Sequence, residues 1–293
     1  MTYKLSLLYN VYDQVMTEIL FCFLQNTGID LTNIIEQRSG DASGLCFFCE
    51  DKDAVNNILK EINKKNLKDV KVKIEQIQKK DWQEKWKENL EAFKITKKLR
   101  VIPFWHLYKY KINKAEDIII DTTSSFGMGT HPTTQLMSEF IEELKGQYED
   151  VFDIGTGTGM LAIIAKKYGA KKCWAIDIDK KSVLIAKKNM QINACKSELL
   201  KCCSFENFNK KDQFDLVIAN ILTKDLLNLR DKLIEYVKSK KYLVLSGIHD
   251  DNYDELRKYF DGEEITHIKT KKKNNWCAVL YRVDSVFKEK VKR

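Results

Sequence analysis

Val151-Phe152-Asp153-Ile154-Gly155-Thr156-Gly157-Thr158-Gly159 reads as an apolar strand that ends in an acid and runs into glycines at every second position. A helical stretch, Met160 to Tyr168, follows at once. Three glycines this close let the backbone turn sharply and lie against a ligand where any Cβ would intrude. Working outward, Cys173-Trp174-Ala175-Ile176 is a second apolar run that ends at Asp177. That is close to the spacing, about 20 residues, at which an acid grips a ribose. Dinucleotide sites read G-x-G-x-x-G and seat a pyrophosphate on the following helix. Here the order is D-x-G-x-G-x-G, and no Lys or Arg lies between Asp153 and Ala165 to hold a phosphate. The plainer alternative is a tight strand-to-helix turn that uses Gly for geometry alone.

The loop resembles the S-adenosylmethionine loop of Rossmann-like methyltransferases, whose ligand carries no phosphate. The bulk numbers are compatible with such an enzyme. The chain has 293 residues, room for two domains, with 44% hydrophobic and 31% charged residues. No run of about 18 apolar residues exists, so no transmembrane helix is expected. The opening Met1-Thr2-Tyr3-Lys4-Leu5 lacks the basic leader and apolar core of a secretion signal, which makes the cytoplasm the expected address. A net charge of +8 comes mostly from dispersed lysines such as Lys64-Lys65 and Lys166-Lys167. Solvated helix faces explain such lysines as well as an acidic partner does, and no aromatic-interleaved basic stripe of the RNA-reading kind appears. The eight cysteines form no disulfide framework. Cys46-Phe47-Phe48-Cys49 lies in a strand-like run and lacks a second pair to complete a metal site, so it and Cys202-Cys203 are read as buried or half-buried thiols.

Along the chain, Leu5 to Leu8 is strand-like, and Tyr12 to Leu24 carries helical apolar spacing. A strand over Ile29 to Ile35, a turn-rich loop over Arg38 to Gly44, and a strand over Leu45 to Cys49 follow. Asp51 opens a helix, and Val70-Lys71-Val72-Lys73-Ile74 alternates as a strand. The order β-α-β-β-α-β predicts a ferredoxin-like domain. Lys79 to Phe93, with Trp82 and Trp86 on one face, reads as a charged linker helix, ending in a turn at Ile102-Pro103-Phe104-Trp105. From about residue 130 helices and strands alternate as in a doubly wound parallel sheet. Phe214 to Asn220 and Tyr242 to Gly247 are strands, Leu226 to Val237 is helical, and Glu264 to Arg282 closes as a hairpin. That hairpin forces one reversed strand near the sheet edge. The expected organisation is residues 1–78 as a ferredoxin-like substrate-recognition domain, 79–105 as linker helix and turn, and 106–293 as a Rossmann-like class I methyltransferase domain.

Several separate segments resemble one family, the bacterial ribosomal protein L-eleven methyltransferases, which methylate amino groups on a protein of the ribosomal stalk base. They are Asp81-Trp82 with Trp86, Phe126-Gly127-x-Gly129-Thr130-His131-Pro132-Thr133-Thr134, Asp153-x-Gly155-x-Gly157-x-Gly159, Asp177-Ile178-Asp179, Ala219-Asn220-Ile221-Leu222, Leu245-Ser246-Gly247-Ile248 and Trp276-Cys277. The G-x-G-T-H-P-T-T segment is the most specific. Met128 replaces the Thr usual in the family, and Thr122-Thr123-Ser124 replaces a Pro-containing turn.

The resemblance implies S-adenosylmethionine as cofactor and ribosomal protein L-eleven as protein substrate. Direct displacement at nitrogen calls for no metal, and no membrane, no sequence-specific nucleic acid and a monomer are expected. Gly155 and Gly157 would lie against the adenosyl group, Asp177 would accept both ribose hydroxyls, and the resemblance places Thr134 near the cofactor as well. Asp179 reads as a helix N-cap rather than a ribose ligand. Thr130 and His131 are either site residues or turn stabilisers. Asn220 ends a strand, where α/β enzymes place ligands, and its carbonyl would orient an amine lone pair toward the methyl group. A core-facing capping Asn is the plainer alternative. His249 and His267 are read as surface or capping residues. The rival readings are a methyltransferase for another protein or a nucleic acid, a non-catalytic binding module, and an NAD-dependent dehydrogenase. Ile221-Leu222 after Asn220 argues against a base modifier, and the glycine spacing argues against the dehydrogenase.

Overall fold

A computed structural model describes residues 2–10, 20, 24, 35–39, 42–49, 52–64, 70–77, 87, 90–122 and 127–284. The chain divides into two compact units, Met1–Asn89 and Leu90–Arg293.

In the first unit, strands β1 (Thr2–Asn10), β2 (Ile35–Ser39), β3 (Ala42–Cys49) and β4 (Lys71–Ile77) form an antiparallel sheet in the order β2-β3-β1-β4. Helix α1 (Lys52–Lys64) joins β3 to β4. Leu5 and Leu7 pair with Phe47 and Leu45 across the β1–β3 ladder, and all four are buried with Val55, Ile58 and Ile62 of α1. Leu20 and Leu24 occupy helical positions in the same core. This strand order is that of the ferredoxin-like fold. One boundary differs from the sequence reading. The strand expected over Ile29 to Ile35 lies outside the described residues except for Ile35, which opens β2; β2 runs on to Ser39, and Arg38, Ser39 and Ala42 to Gly44 are paired strand, not loop. Polar and glycine residues suggested a turn there, but backbone pairing with the neighbouring strand outweighs local propensity. Of the helix expected over Lys79 to Phe93, the part with Trp82 and Trp86 lies outside the described residues; Lys87 is helical, but Leu90 to Ala92 are not, and Phe93 is already paired strand.

The second unit opens with a small sheet, β5 (Phe93–Lys94), β6 (Arg100–Pro103) and β7 (Asp117–Ile120). Its first two strands occupy a stretch that the sequence alone suggests as linker. The main sheet has seven strands: β8 (Asp150–Ile154), β9 (Lys172–Asp177), β10 (Leu199–Cys202), β11 (Phe214–Asn220), β12 (Val237–His249), β13 (Ile265–Lys273) and β14 (Trp276–Val283). Their order is β10-β9-β8-β11-β12-β14-β13. Only β14 is reversed, pairing antiparallel with both β12 and β13. This is the arrangement of class I methyltransferases, as expected. The central strands are buried on both faces, which explains why Val151 to Ile154 and Leu216 to Ala219 read as nearly unbroken apolar runs.

Helices α2 (Pro132–Glu143), α3 (Met160–Lys167) and α4 (Lys180–Ile192) pack in succession. Helices α5 (Thr223–Asn228), α6 (Arg230–Glu235) and α7 (Tyr253–Phe260) complete the unit. The stretch expected as one helix over Leu226 to Val237 is broken at Leu229 into α5 and α6, and Val237 already belongs to β12. Phe152 anchors an aromatic cluster, with ring centroids 4.9 Å from Phe214, 5.1 Å from Phe208 and 5.6 Å from Tyr236. Cys46 is buried and Cys49 and Cys203 are half-buried, whereas Cys202 is exposed, contrary to expectation. It sits at the end of β10, the edge strand of the sheet.

Candidate active site

The carboxyl ends of β8, β9 and β11 converge on the turn between β8 and α3. Gly155, Gly157 and Gly159 take φ angles of 73°, 55° and 81°, the left-handed region that side chains with a Cβ resist. The turn is pinned to the next strand: the backbone N–H groups of Gly155 and Thr156 both donate to Ile176 O at 3.0 Å. Thr156 Oγ1 donates to Asp153 Oδ2 at 2.7 Å. Asp153 is fully buried, and that burial pushes its carboxyl up to about 7.

Asp177 ends β9 and turns back on the loop. Its Oδ2 accepts from Gly157 N at 2.8 Å and its Oδ1 from Asp179 N at 2.9 Å. Each oxygen keeps acceptor capacity on its other side, the chemistry a pair of sugar hydroxyls requires. Asp179 is the N-cap of α4, accepting from Lys181 N at 3.0 Å and Ser182 N at 3.1 Å, and those donors hold its carboxyl below the usual range.

Two hollows meet at Gly155 and Gly157. One, of about 430 Å3, is lined by Asp177 with apolar walls from Ile178, Phe205, Ile221 and Leu229. The other, of about 140 Å3, is lined by Gly127, Thr134, Thr158 and Asn220. An adenosyl group fits this arrangement: an apolar recess for a base, a fixed carboxylate for its sugar, and a backbone turn with no side chain in the way. Thr134, Gly155, Gly157 and Asn220 therefore share one hollow, and Asp177 shares the adjoining one with both glycines.

Asn220 closes β11, and its Nδ2 donates to Thr133 Oγ1 at 3.2 Å. The residue is half-buried and lines the smaller hollow, rather than being enclosed as a core cap. His131 caps α2, its Nδ1 accepting from Thr133 N at 3.3 Å and lying 2.7 Å from Thr133 Oγ1. Its ring stands edge-on to Trp276 at 4.9 Å, and burial lowers its pKa below that of a free imidazole. His249 caps the short turn at Asp250–Asn252, and His267 Nε2 lies 2.8 Å from Thr270 Oγ1.

Two supporting residues escaped the sequence reading. Asn189 on α4 is fully buried; its Nδ2 donates to Asp121 O at 3.0 Å and Thr158 O at 2.9 Å, while its Oδ1 accepts from Asp121 N at 2.9 Å. It thereby ties the segment after β7 to the glycine loop. The available signal was a polar residue on the same helical face as Ala186 and Met190. Thr158 adds a second tie, Oγ1 to Gly127 O at 2.7 Å. Among the described residues, no group of three or more His, Cys, Asp or Glu is placed to hold a metal ion, and no helix is long and apolar enough to cross a membrane.

Residues 27–283 match the family model described as ribosomal protein L11 methyltransferase (PrmA). The chain belongs to this family. Relatives of that name include one from Caldicellulosiruptor bescii, 33% identical over 210 residues that span 72% of this chain and 68% of the relative. Another, from Dictyoglomus thermophilum, is 32% identical over 243 residues, covering 78% and 76%. A crystal structure of ribosomal protein L11 methylase from Lactobacillus delbrueckii subsp. bulgaricus superposes with a TM-score of 0.61 at 28% identity, covering 67% of this chain and all of that one. The family membership agrees with the segments quoted from the sequence, from the G-x-G-T-H-P-T-T motif to Trp276.

Proposed function

We propose that this chain methylates amino groups of ribosomal protein L11, the lysine side chains and the N-terminal amine, using S-adenosylmethionine. When bound, that cofactor supplies an electrophilic methyl group on a sulfonium. The observation that supports the reading is Asn220, which lines the hollow beside the glycine loop, with Asp177 lining the adjoining one. Asp177 would hold the ribose of that cofactor, Gly155 and Gly157 would admit the backbone to close contact, and Thr134, which lines the smaller hollow, would contact the cofactor there.

Asn220 Oδ1 accepts an N–H of the incoming amine and so aims the nitrogen lone pair. The amine must be neutral. A free lysine has a pKa of about 10.4, and a hollow that excludes water beside a positive charge favours the neutral form. No general base is needed to start the reaction. Alignment supplies most of the rate, with effective molarities worth roughly 7–11 kcal/mol. Asn220 is the catalytic residue and also lines the cofactor hollow.

Residues 1–78 act as the substrate-recognition domain, 79–105 join it to the rest of the chain, and 106–293 act as the catalytic domain. The protein acts as a cytoplasmic monomer. The test is to incubate the full chain with labelled S-adenosylmethionine and ribosomal protein L11, then map modified amines by mass spectrometry. Label on lysines and the N-terminus supports the reading, and label only on another protein or on nucleic acid overturns its substrate assignment. Removing residues 1–75 should leave cofactor binding intact and abolish protein methylation.

A further inference from the structure

A primary carboxamide looks the same from either end, yet only one end of Asn220 serves an amine. If the NH2 group faced the hollow, it would repel an incoming N–H instead of accepting it. Something must therefore decide which way the group sits, and the contacts around Thr133 do so.

The backbone N–H of Thr133 is a donor in every circumstance, and its acceptor is His131 Nδ1 at 3.3 Å. A ring nitrogen that accepts carries no proton, so the imidazole holds its proton on Nε2. The Thr133 hydroxyl lies 2.7 Å from the same Nδ1 and must donate to it. A hydroxyl has one proton, so with that proton committed its oxygen offers only lone pairs to its other neighbour. That neighbour is Asn220, which must present Nδ2 at 3.2 Å. Oδ1 is then the end left for the hollow. Thr133 is buried, which removes the option of water replacing either bond, and the His131 ring is held edge-on by Trp276 at 4.9 Å.

We infer that His131, acting through the Thr133 hydroxyl, sets which end of the Asn220 carboxamide faces the substrate amine. Both are positioning residues, since neither is placed against the reacting atoms. The inference rests on the methyltransferase reading above for its kinetic consequence but not for its structural one.

The experiment has two arms on the full-length protein. By NMR, with selective labelling of His and Asn, His131 Nδ1 should show the shift of an unprotonated nitrogen. The two carboxamide protons of Asn220 should change shift in Thr133→Val and in His131→Phe, which keeps a ring against Trp276 but has no acceptor. In the methylation assay, Thr133→Val and His131→Phe should each lower kcat on the order of 10- to 100-fold, as for loss of one buried hydrogen bond, with KM for the protein substrate unchanged. Thr133→Ser and His131→Asn, which retain the hydroxyl and the capping acceptor, should recover most of that loss. A protonated Nδ1 at neutral pH, Asn220 signals indifferent to Thr133→Val, or full turnover in Thr133→Val overturns the inference. A wild-type chain that methylates nothing sinks the functional reading alone, because the NMR arm needs no turnover. Should His131→Phe not fold, the Thr133 pair decides the matter.

Discussion

Gly157 donates its backbone N–H to Asp177 Oδ2 at 2.8 Å, although 20 residues separate them. The bond joins the tip of the glycine loop to the carboxylate at the end of the adjacent strand, so neither half of the cradle is set independently. It also makes the two residues separable by mutation. At Gly157 an added Cβ meets nothing within 4 Å in the protein, while φ is 55°. Gly157→Ala should therefore cost only the left-handed backbone penalty, roughly 1–2 kcal/mol, and keep the fold. Its methyl group would project into the ligand space, so calorimetry should show weak or no binding of S-adenosylhomocysteine. Wild-type affinity in that variant would place the ligand elsewhere.

Asp177→Asn keeps the shape of the side chain and removes half of its acceptor capacity. One sugar hydroxyl, or Gly157 N or Asp179 N, then faces an NH2 group. Cofactor affinity should fall on the order of 10- to 100-fold, corresponding to about 1–3 kcal/mol for one mismatched polar pair. Titration calorimetry measures this directly, and circular dichroism should show the fold unchanged.

Gly247 behaves in the opposite way to Gly157. It interrupts β12 at an irregularity between Ser246 and Ile248, with φ at 86°, and a Cβ there would sit 2.0 Å from Ile221 O. That close approach shapes the segment directly after Asn220. Gly247→Ala should destabilise by roughly 2–5 kcal/mol, the combined cost of backbone strain and overpacking. The readout is the thermal midpoint, which should fall by several degrees or the protein should become insoluble.

Asn189 lies outside the hollows and holds two segments that line them. Asn189→Leu fits the helix but leaves Asp121 N and Thr158 O without partners, at roughly 1–3 kcal/mol per orphaned group. Loss of both stability and cofactor affinity is expected. An effect on stability alone would mean that the glycine loop keeps its shape without this brace.

Asp153 gives the stability a pH dependence of defined sign. Burial raises its carboxyl from the ordinary 3.8 to about 7, so the folded state favours the protonated form. Its contribution is fully present below about 3.8 and is lost as pH rises through about 7. Other carboxylates, such as Asp215, which accepts from the backbone N–H groups of Glu149 and Asp150 and lies beside Lys238, are held low and run the other way. The comparison that isolates Asp153 is the difference in unfolding free energy between Asp153→Asn and the parent. That difference should move in favour of the variant between about pH 3.8 and about pH 7 and level off above. A difference that is flat with pH would mean that Asp153 is ionised in the folded state throughout.

Much of the catalytic domain was legible because its signals are local. Alternating glycines after an apolar strand, a second strand ending in an acid, and a third ending in Asn220 each follow from neighbouring residues. Edge strand β10 was not legible: Leu199 to Cys202 is half-exposed, and only pairing with β9 makes it a strand. The helix expected over Leu226 to Val237 was misread for a similar reason, since Val237 is drawn into β12 by pairing with Phe214.

The amino-acid order by itself determined the bend at residues 153–159, the doubly wound alternation and the family, because backbone sterics and apolar periodicity act between near neighbours. Only the folded chain decided that Thr133 meets Asn220 across 87 positions, and that Asn189 reaches Thr158 across 31. Hydrogen bonds are directional and short, so a polar side chain acquires its partner only when packing brings two distant elements within about 3 Å.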